Sequence, residues 1–162
     1  MVYLPGVKLL LLAVGPTDTG ALTELVTTFS DRIGRYVPFE LECIPNVRAK
    51  GADPALLRQK ESDALIRRLE SRDLVWLLDE KGKEFTSRQF ADYLQKGMNT
   101  GPKRLVLVIG GAYGFGPELQ ARANGRISLS RMTFNHQVVR LLAVEQLYRA
   151  LSILKGDPYH ND

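Results

Sequence analysis

Leu105-Val106-Leu107-Val108-Ile109 runs without a break into Gly110-Gly111-Ala112-Tyr113-Gly114-Phe115-Gly116, and this junction decides the fold. Five apolar residues with no alternation fit a strand covered on both faces, the central position of a parallel sheet. Four glycines in the next seven positions allow positive φ and close approach of backbone to a ligand. Open α/β sheets bind ligands at the carboxyl ends of their strands. The turn is therefore the expected wall of a site.

Working outward, strands and helices alternate. Val7–Val14 reads as a first strand, ended by Gly15-Pro16. A helix capped by Asp18 or Thr19 is expected through Phe29, then a strand over Val37–Ile44 and a polar, mobile stretch over Asn46–Ala52. Asp53-Pro54 is a strong helix start. That helix is expected to about Glu70, with Leu56, Leu57, Ala64, Leu65 and Leu69 inward. Leu74–Leu78 reads as a buried strand and Asp79–Phe85 as a charged loop, after which Thr86 or Ser87 caps a helix through Lys96. Beyond the glycine turn come a short helix from Pro117 to about Ala123, a strand Arg126–Leu129, and a long helix Asn135–Leu154. This order predicts an α/β fold, a mostly parallel sheet flanked by helices, in one domain over residues 1–162.

Charge is uneven. The chain carries 22 basic and 18 acidic residues, net +4. Residues 1–80 hold 10 basic and 12 acidic groups, net −2; residues 81–162 hold 12 and 6, net +6. A polyanion would be steered to the half with the glycine turn, although a solvated basic surface reads the same way. Cys43 alone excludes an internal disulfide or a cysteine metal cluster and reads as buried filler. His136 and His160 lie 24 positions apart, too little for a metal site. The apolar start is too short to span a bilayer and lacks a cleavage region, so no membrane and a cytoplasmic location are expected.

The glycines lack the lysine and hydroxyl residue of a triphosphate loop. They come late in the chain with the spacing Gly-Gly-x-x-Gly-x-Gly, against the dinucleotide fingerprint. Two other segments, Leu77–Lys83 and Leu129–Phe134, follow strands of the same sheet, so three loops can converge. Leu77, Leu78, Leu129, Met132 and Phe134 can hold an apolar ring, with Ser130 and Thr133 offering hydroxyls, a mixture suited to adenine. Each leucine also reads as plain core.

In the long helix, His136 with Arg140 and Glu145 with Arg149 are four apart. Its apolar residues occupy more than one stripe, which predicts burial against both the sheet and a second subunit, a homodimer. Arg131, Arg140, Arg149, Tyr159 and His160 can line an RNA-facing surface.

Six blocks in one order carry a resemblance: Leu77-Leu78-Asp79-Glu80-x-Gly82-Lys83; Val108-Ile109-Gly110-Gly111-x-x-Gly114; Ser128-Leu129-Ser130-x-Met132-Thr133-Phe134-x-His136-Gln137; Arg140; Glu145-Gln146-x-Tyr148-Arg149-Ala150; and Gly156-x-x-Tyr159-His160. From Lys8 to His160 the chain resembles the bacterial ribosomal large subunit pseudouridine N3-methyltransferases (RlmH). These are minimal SPOUT enzymes that bind S-adenosylmethionine in a C-terminal trefoil knot, here about residues 73–155. The resemblance implies cofactor contacts at Leu77, Leu78, Gly110, Gly114, Leu129, Ser130, Arg131, Met132, Thr133 and Phe134. It also implies methylation of N3 of a pseudouridine in the helix-69 loop of 23S rRNA, on the assembled ribosome. No residue is an unambiguous base. His160 is the nominee, with Arg140 or Arg149 stabilising charge on the base carbonyls and Tyr159 positioning the base, in a site that can be composite between subunits. The chain departs from the family pattern at Met1–Gly6, which are additional, at Pro16-Thr17 in place of a lysine, and at Asn135 in place of proline, where it can cap the helix. A non-catalytic RNA-binding or ribosome-assembly factor and a ribose 2′-O methyltransferase are the alternatives.

Overall fold

Parallel pairing builds the sheet from residues far apart in sequence. The computed structural model describes residues 6–48, 51 and 53–161. Met1–Pro5, and Ala49, Lys50 and Ala52 of the polar stretch, lie outside the described residues. The elements are β1 (Lys8–Val14), α1 (Ala21–Gly34), β2 (Phe39–Ile44), α2 (Pro54–Ile66), β3 (Asp73–Glu84), α3 (Ser87–Asn99), β4 (Arg104–Ile109), α4 (Pro117–Arg122), β5 (Gly125–Ser128) and α5 (Val138–Lys155). The sheet order is β2-β1-β4-β3-β5, with every neighbouring pair parallel.

Side chains of β1 and β4 alternate between two cores. Leu9, Leu11, Leu105 and Leu107 face α1, α3 and α5; Leu10, Leu12, Val106 and Val108 face α2 and α4. Both faces are covered, which is why these strands show no polar alternation. Helix α5 lies against both α1 and α3. Those two helices flank it; the sequence expectation for its broad apolar circumference was burial against both the sheet and a second subunit.

Several boundaries differ from expectation. Helix α1 has no side-chain cap from Asp18 or Thr19: it starts after Gly20 and runs five residues past Phe29. Helix α2 is capped by the Asp53 carboxylate, which accepts from Ala55 N–H, but Leu56 is exposed while Glu61 and Ser62 are buried. Thr86 caps α3 in a reciprocal box with Gln89. The expected loop after Leu78 is a continuation of β3, which shifts register and pairs β5 again at Lys83 and Glu84. A Cβ on Gly82 would stand 2.7 Å from the Arg126 and Ile127 backbone, so only glycine fits this crossing. Asn135 accepts the Gln137 N–H at 2.7 Å and so caps the approach to α5 from outside it. Among the described residues, no helix is long and apolar enough to cross a membrane. None of their His, Cys, Asp and Glu side chains cluster in a group of three or more able to hold a metal.

Candidate functional site

The carboxyl ends of β3, β4 and β5 surround a cavity of about 400 Å³, within the range of small-molecule sites. The glycine turn forms one wall through Gly110, Gly111 and Gly114. Gly111 and Gly114 make an isolated antiparallel bridge, and Gly114 alone of the four glycines has positive φ, 79°. Gly111 sits in a tight place for a different reason. A Cβ there would lie 2.0 Å from the Glu61 carboxylate.

Leu78 forms the second wall and the segment 129–134 the third, through Leu129, Ser130, Met132, Thr133 and Phe134. The Ser130 hydroxyl accepts Met132 N–H at 3.0 Å and so shapes its own loop. The Thr133 hydroxyl donates to Glu80 at 2.6 Å, joining the third wall to the second. Met132 and Phe134 are exposed at the rim, 73% and 38%.

Two residues expected at the cofactor do not line the cavity. Leu77 has no exposed surface and packs in the core beneath α2 and α4, because adjacent strand residues point to opposite faces and Leu78 takes the cavity side. Arg131 points into solvent, paired with Glu84 at 2.8 Å. The cavity also contains residues not named individually as contacts: Asp79 and Glu80, within the converging segment Leu77–Lys83, and His136 and Val139 at the start of α5. The carboxylates had been assigned to a solvated loop. Their position follows from the continuation of β3, which no local pattern announces.

The proposed catalytic residues separate into two places. Arg140 is completely buried. Its guanidinium donates to the carbonyls of Val14, Gly15 and His136 and to the Thr17 hydroxyl, and its Nη1 lies 3.5 Å from the Cys43 sulfur. Burial pulls its pKa below the usual arginine range, with Cys43 and Asp18 opposing. With no exposed surface and bonds to three carbonyls and a hydroxyl, Arg140 ties β1 to α5 in this structure.

Arg149, Tyr159 and His160 gather at the other end of α5. Arg149 makes two bonds to Glu145 Oε1, 3.1 and 2.6 Å, and Tyr159 donates to the same oxygen at 3.1 Å. The Arg149 guanidinium lies 4.7 Å from the centre of the Tyr159 ring, which meets Tyr148 edge-on at 4.6 Å. Burial and the Glu145 carboxylate both raise the Tyr159 hydroxyl above its usual pKa, keeping it a donor. Arg149 Nη1 stands 3.1 Å from His160 Nδ1. Since guanidinium only donates, Nδ1 is the acceptor in this contact. His160, the nominated general base, stands in this cluster and does not line the cavity of its own chain. Ten helical positions separate Val139 at the cavity from Arg149, about 15 Å.

A family model described as predicted SPOUT methyltransferase matches residues 7–160, a span that takes in both the cavity and this tail. A ribosomal RNA large subunit methyltransferase H of Parabacteroides distasonis is 46% identical over 156 residues, covering 96% of this chain and 99% of the relative. The protein of the same name from Christiangramia forsetii is 49% identical over 152 residues, covering 93% and 97%. The chain belongs to this SPOUT methyltransferase family.

Solved structures share the family's α/β fold at low identity. A probable methyltransferase from Bordetella pertussis Tohama I superposes with TM-score 0.54 at 16% identity, over 90% of this chain and 95% of that one. The SpoU methyltransferase AviRb from Streptomyces viridochromogenes, solved with AdoMet, has TM-score 0.50 at 14% identity, over 96% and 61%. These likenesses concern the SPOUT fold alone.

Proposed function

We propose that the protein is an S-adenosylmethionine-dependent methyltransferase acting on N3 of a pseudouridine in the helix-69 loop of 23S rRNA, with the assembled ribosome as substrate. The observation that carries this reading is the three-walled cavity at the carboxyl ends of β3, β4 and β5 in a chain of this family. Its residues fit the cofactor. Leu78, Ile109, Ile127 and Phe134 provide apolar walls for an adenine, the glycine turn provides backbone polar groups, and Asp79 and Glu80 provide negative charge near a sulfonium. AviRb, with the same fold, was solved with this cofactor.

When bound, S-adenosylmethionine supplies a methyl group already activated by positive sulfur. The chain's task is alignment and charge. S-adenosylmethionine held in the cavity would give this methyl group to N3 once the N3 proton has passed to solvent, with the sulfonium becoming a neutral thioether. Arg149 and the His160 Nε2–H stabilise negative charge on the base carbonyls, and Tyr159 holds the base. The tail lies about 15 Å along α5 from its own cavity, so the tail that completes a site belongs to a second copy, in a homodimer. Exposed Met132, Phe134 and Val138 beside the cavity supply an apolar surface for that contact. The C-terminal trefoil knot belongs to the same proposal. Its support is that β5 lies at the sheet edge beside β3 while α5 returns to sit between α1 and α3. A cytoplasmic location, without membrane or metal, completes it.

The test is methyl incorporation into ribosomes lacking the modification, followed by mapping of the product. Methyl on N3 of the pseudouridine supports the reading; methyl on a ribose 2′-hydroxyl sinks it. Saturable heat on titration with S-adenosylmethionine separates the enzyme from a pure RNA-binding module.

A further inference from the structure

Behind the glycine turn, on the side away from the cavity, α2 presents two adjacent buried polar side chains. Glu61 is 7% exposed and Ser62 1%. The Glu61 carboxylate lies against Gly111, its oxygen occupying the space that a Cβ there would need, and the Gly111 backbone opposes the rise in its pKa. The Ser62 hydroxyl accepts the Gly116 N–H at 2.7 Å. One helical turn thus holds both ends of the seven-residue turn. A carboxylate is costly to bury, and in this site burial raises the Glu61 pKa while the Gly111 N–H only partly offsets it. An apolar residue would pack here at lower cost, so the charge is retained for what it holds. No motif in the sequence marks these positions.

We infer that Glu61 and Ser62 are positioning residues for the cofactor site: they fix the Gly111 and Gly116 amides and so aim the cavity-facing backbone of the turn. This rests on the proposed cofactor reading. Glutamine at 61 retains an oxygen that can accept the same N–H, whereas alanine retains none.

The experiment combines amide hydrogen exchange on the ligand-free protein with calorimetric titration of S-adenosylmethionine, for the wild type, Glu61→Ala, Glu61→Gln and Ser62→Ala. The expected result is faster exchange confined to residues 110–116 in Glu61→Ala and Ser62→Ala. Cofactor affinity falls about tenfold in Glu61→Ala, the scale of one charged hydrogen bond, and Glu61→Gln recovers most of it. Exchange in the turn unchanged from wild type, or raised uniformly over the whole chain, overturns the inference. If Glu61→Ala does not fold, Glu61→Gln and Ser62→Ala carry the same comparison. If the wild type shows no saturable heat, the cofactor reading falls together with the cofactor half of this inference. The exchange pattern, read without ligand, then decides the anchoring alone.

Discussion

The Arg140 guanidinium donates to the Val14 carbonyl at 2.7 Å, across 126 positions of sequence. This bond closes the carboxyl end of β1 against the first turn of α5, the element that lines one side of the cavity. Arg140 therefore reaches the site through the backbone it holds.

Replacing Arg140 with methionine keeps much of the volume but leaves the Val14 and Gly15 carbonyls buried and unpaired. We expect a loss of about 3 kcal/mol in unfolding free energy, measured by urea denaturation. A variant as stable as wild type, yet inactive, would instead restore a direct catalytic role.

At the opposite end of the sheet, Arg104 forms two bonds with Asp73, 2.9 and 2.6 Å, and the Asp73 side chain is fully buried. Burial alone would raise the Asp73 carboxyl; the Arg104 guanidinium and the Glu70 N–H outweigh it and hold the pKa below the usual carboxylate range. A depressed folded pKa means that this stabilisation is fully present above the unfolded value, about 4, and is lost as pH falls through the folded one. Asp73→Asn should lower stability at neutral pH by about 3 kcal/mol and flatten its decline below about pH 4. Parallel acid limbs for the two proteins would contradict this.

In the proposed mechanism His160 donates a hydrogen bond and the proton on N3 leaves to solvent. Single-turnover methylation should then rise about tenfold per pH unit below the ionisation of N3. His160→Ala should lower the whole profile without changing its slope, and leave cofactor affinity as in wild type. An inflection present in wild type and absent from His160→Ala would return the base role to His160.

A composite site predicts complementation. Phe134→Glu damages the cavity and His160→Ala the tail, in different chains. Each homodimer should be nearly inactive. A mixed dimer regains one intact site, so mixing and re-annealing should recover about a quarter of wild-type activity, assuming random C2 pairing of equal amounts. No recovery, with mixed dimers shown by mass spectrometry, would place tail and cavity in one chain.

Much of this was legible in the chain itself. The unbroken apolar runs Leu9–Ala13 and Leu105–Ile109 specify strands buried on both faces, and Asp53-Pro54 and the Thr86-Ser87 pair specify helix starts, because these signals are local. The glycines after Ile109 likewise mark a turn that accommodates something other than a side-chain core. Contacts between distant segments were not legible. Only the fold places Glu61 under Gly111, turns Leu77 away from the cavity while Leu78 faces it, and seals Arg140 against Val14. The sequence by itself determined the elements and the turn, through backbone propensity and apolar spacing over a few residues. Tertiary structure alone decided which polar groups are buried and whom they meet, because burial and hydrogen bonding depend on packing in three dimensions, where chain distance carries no information.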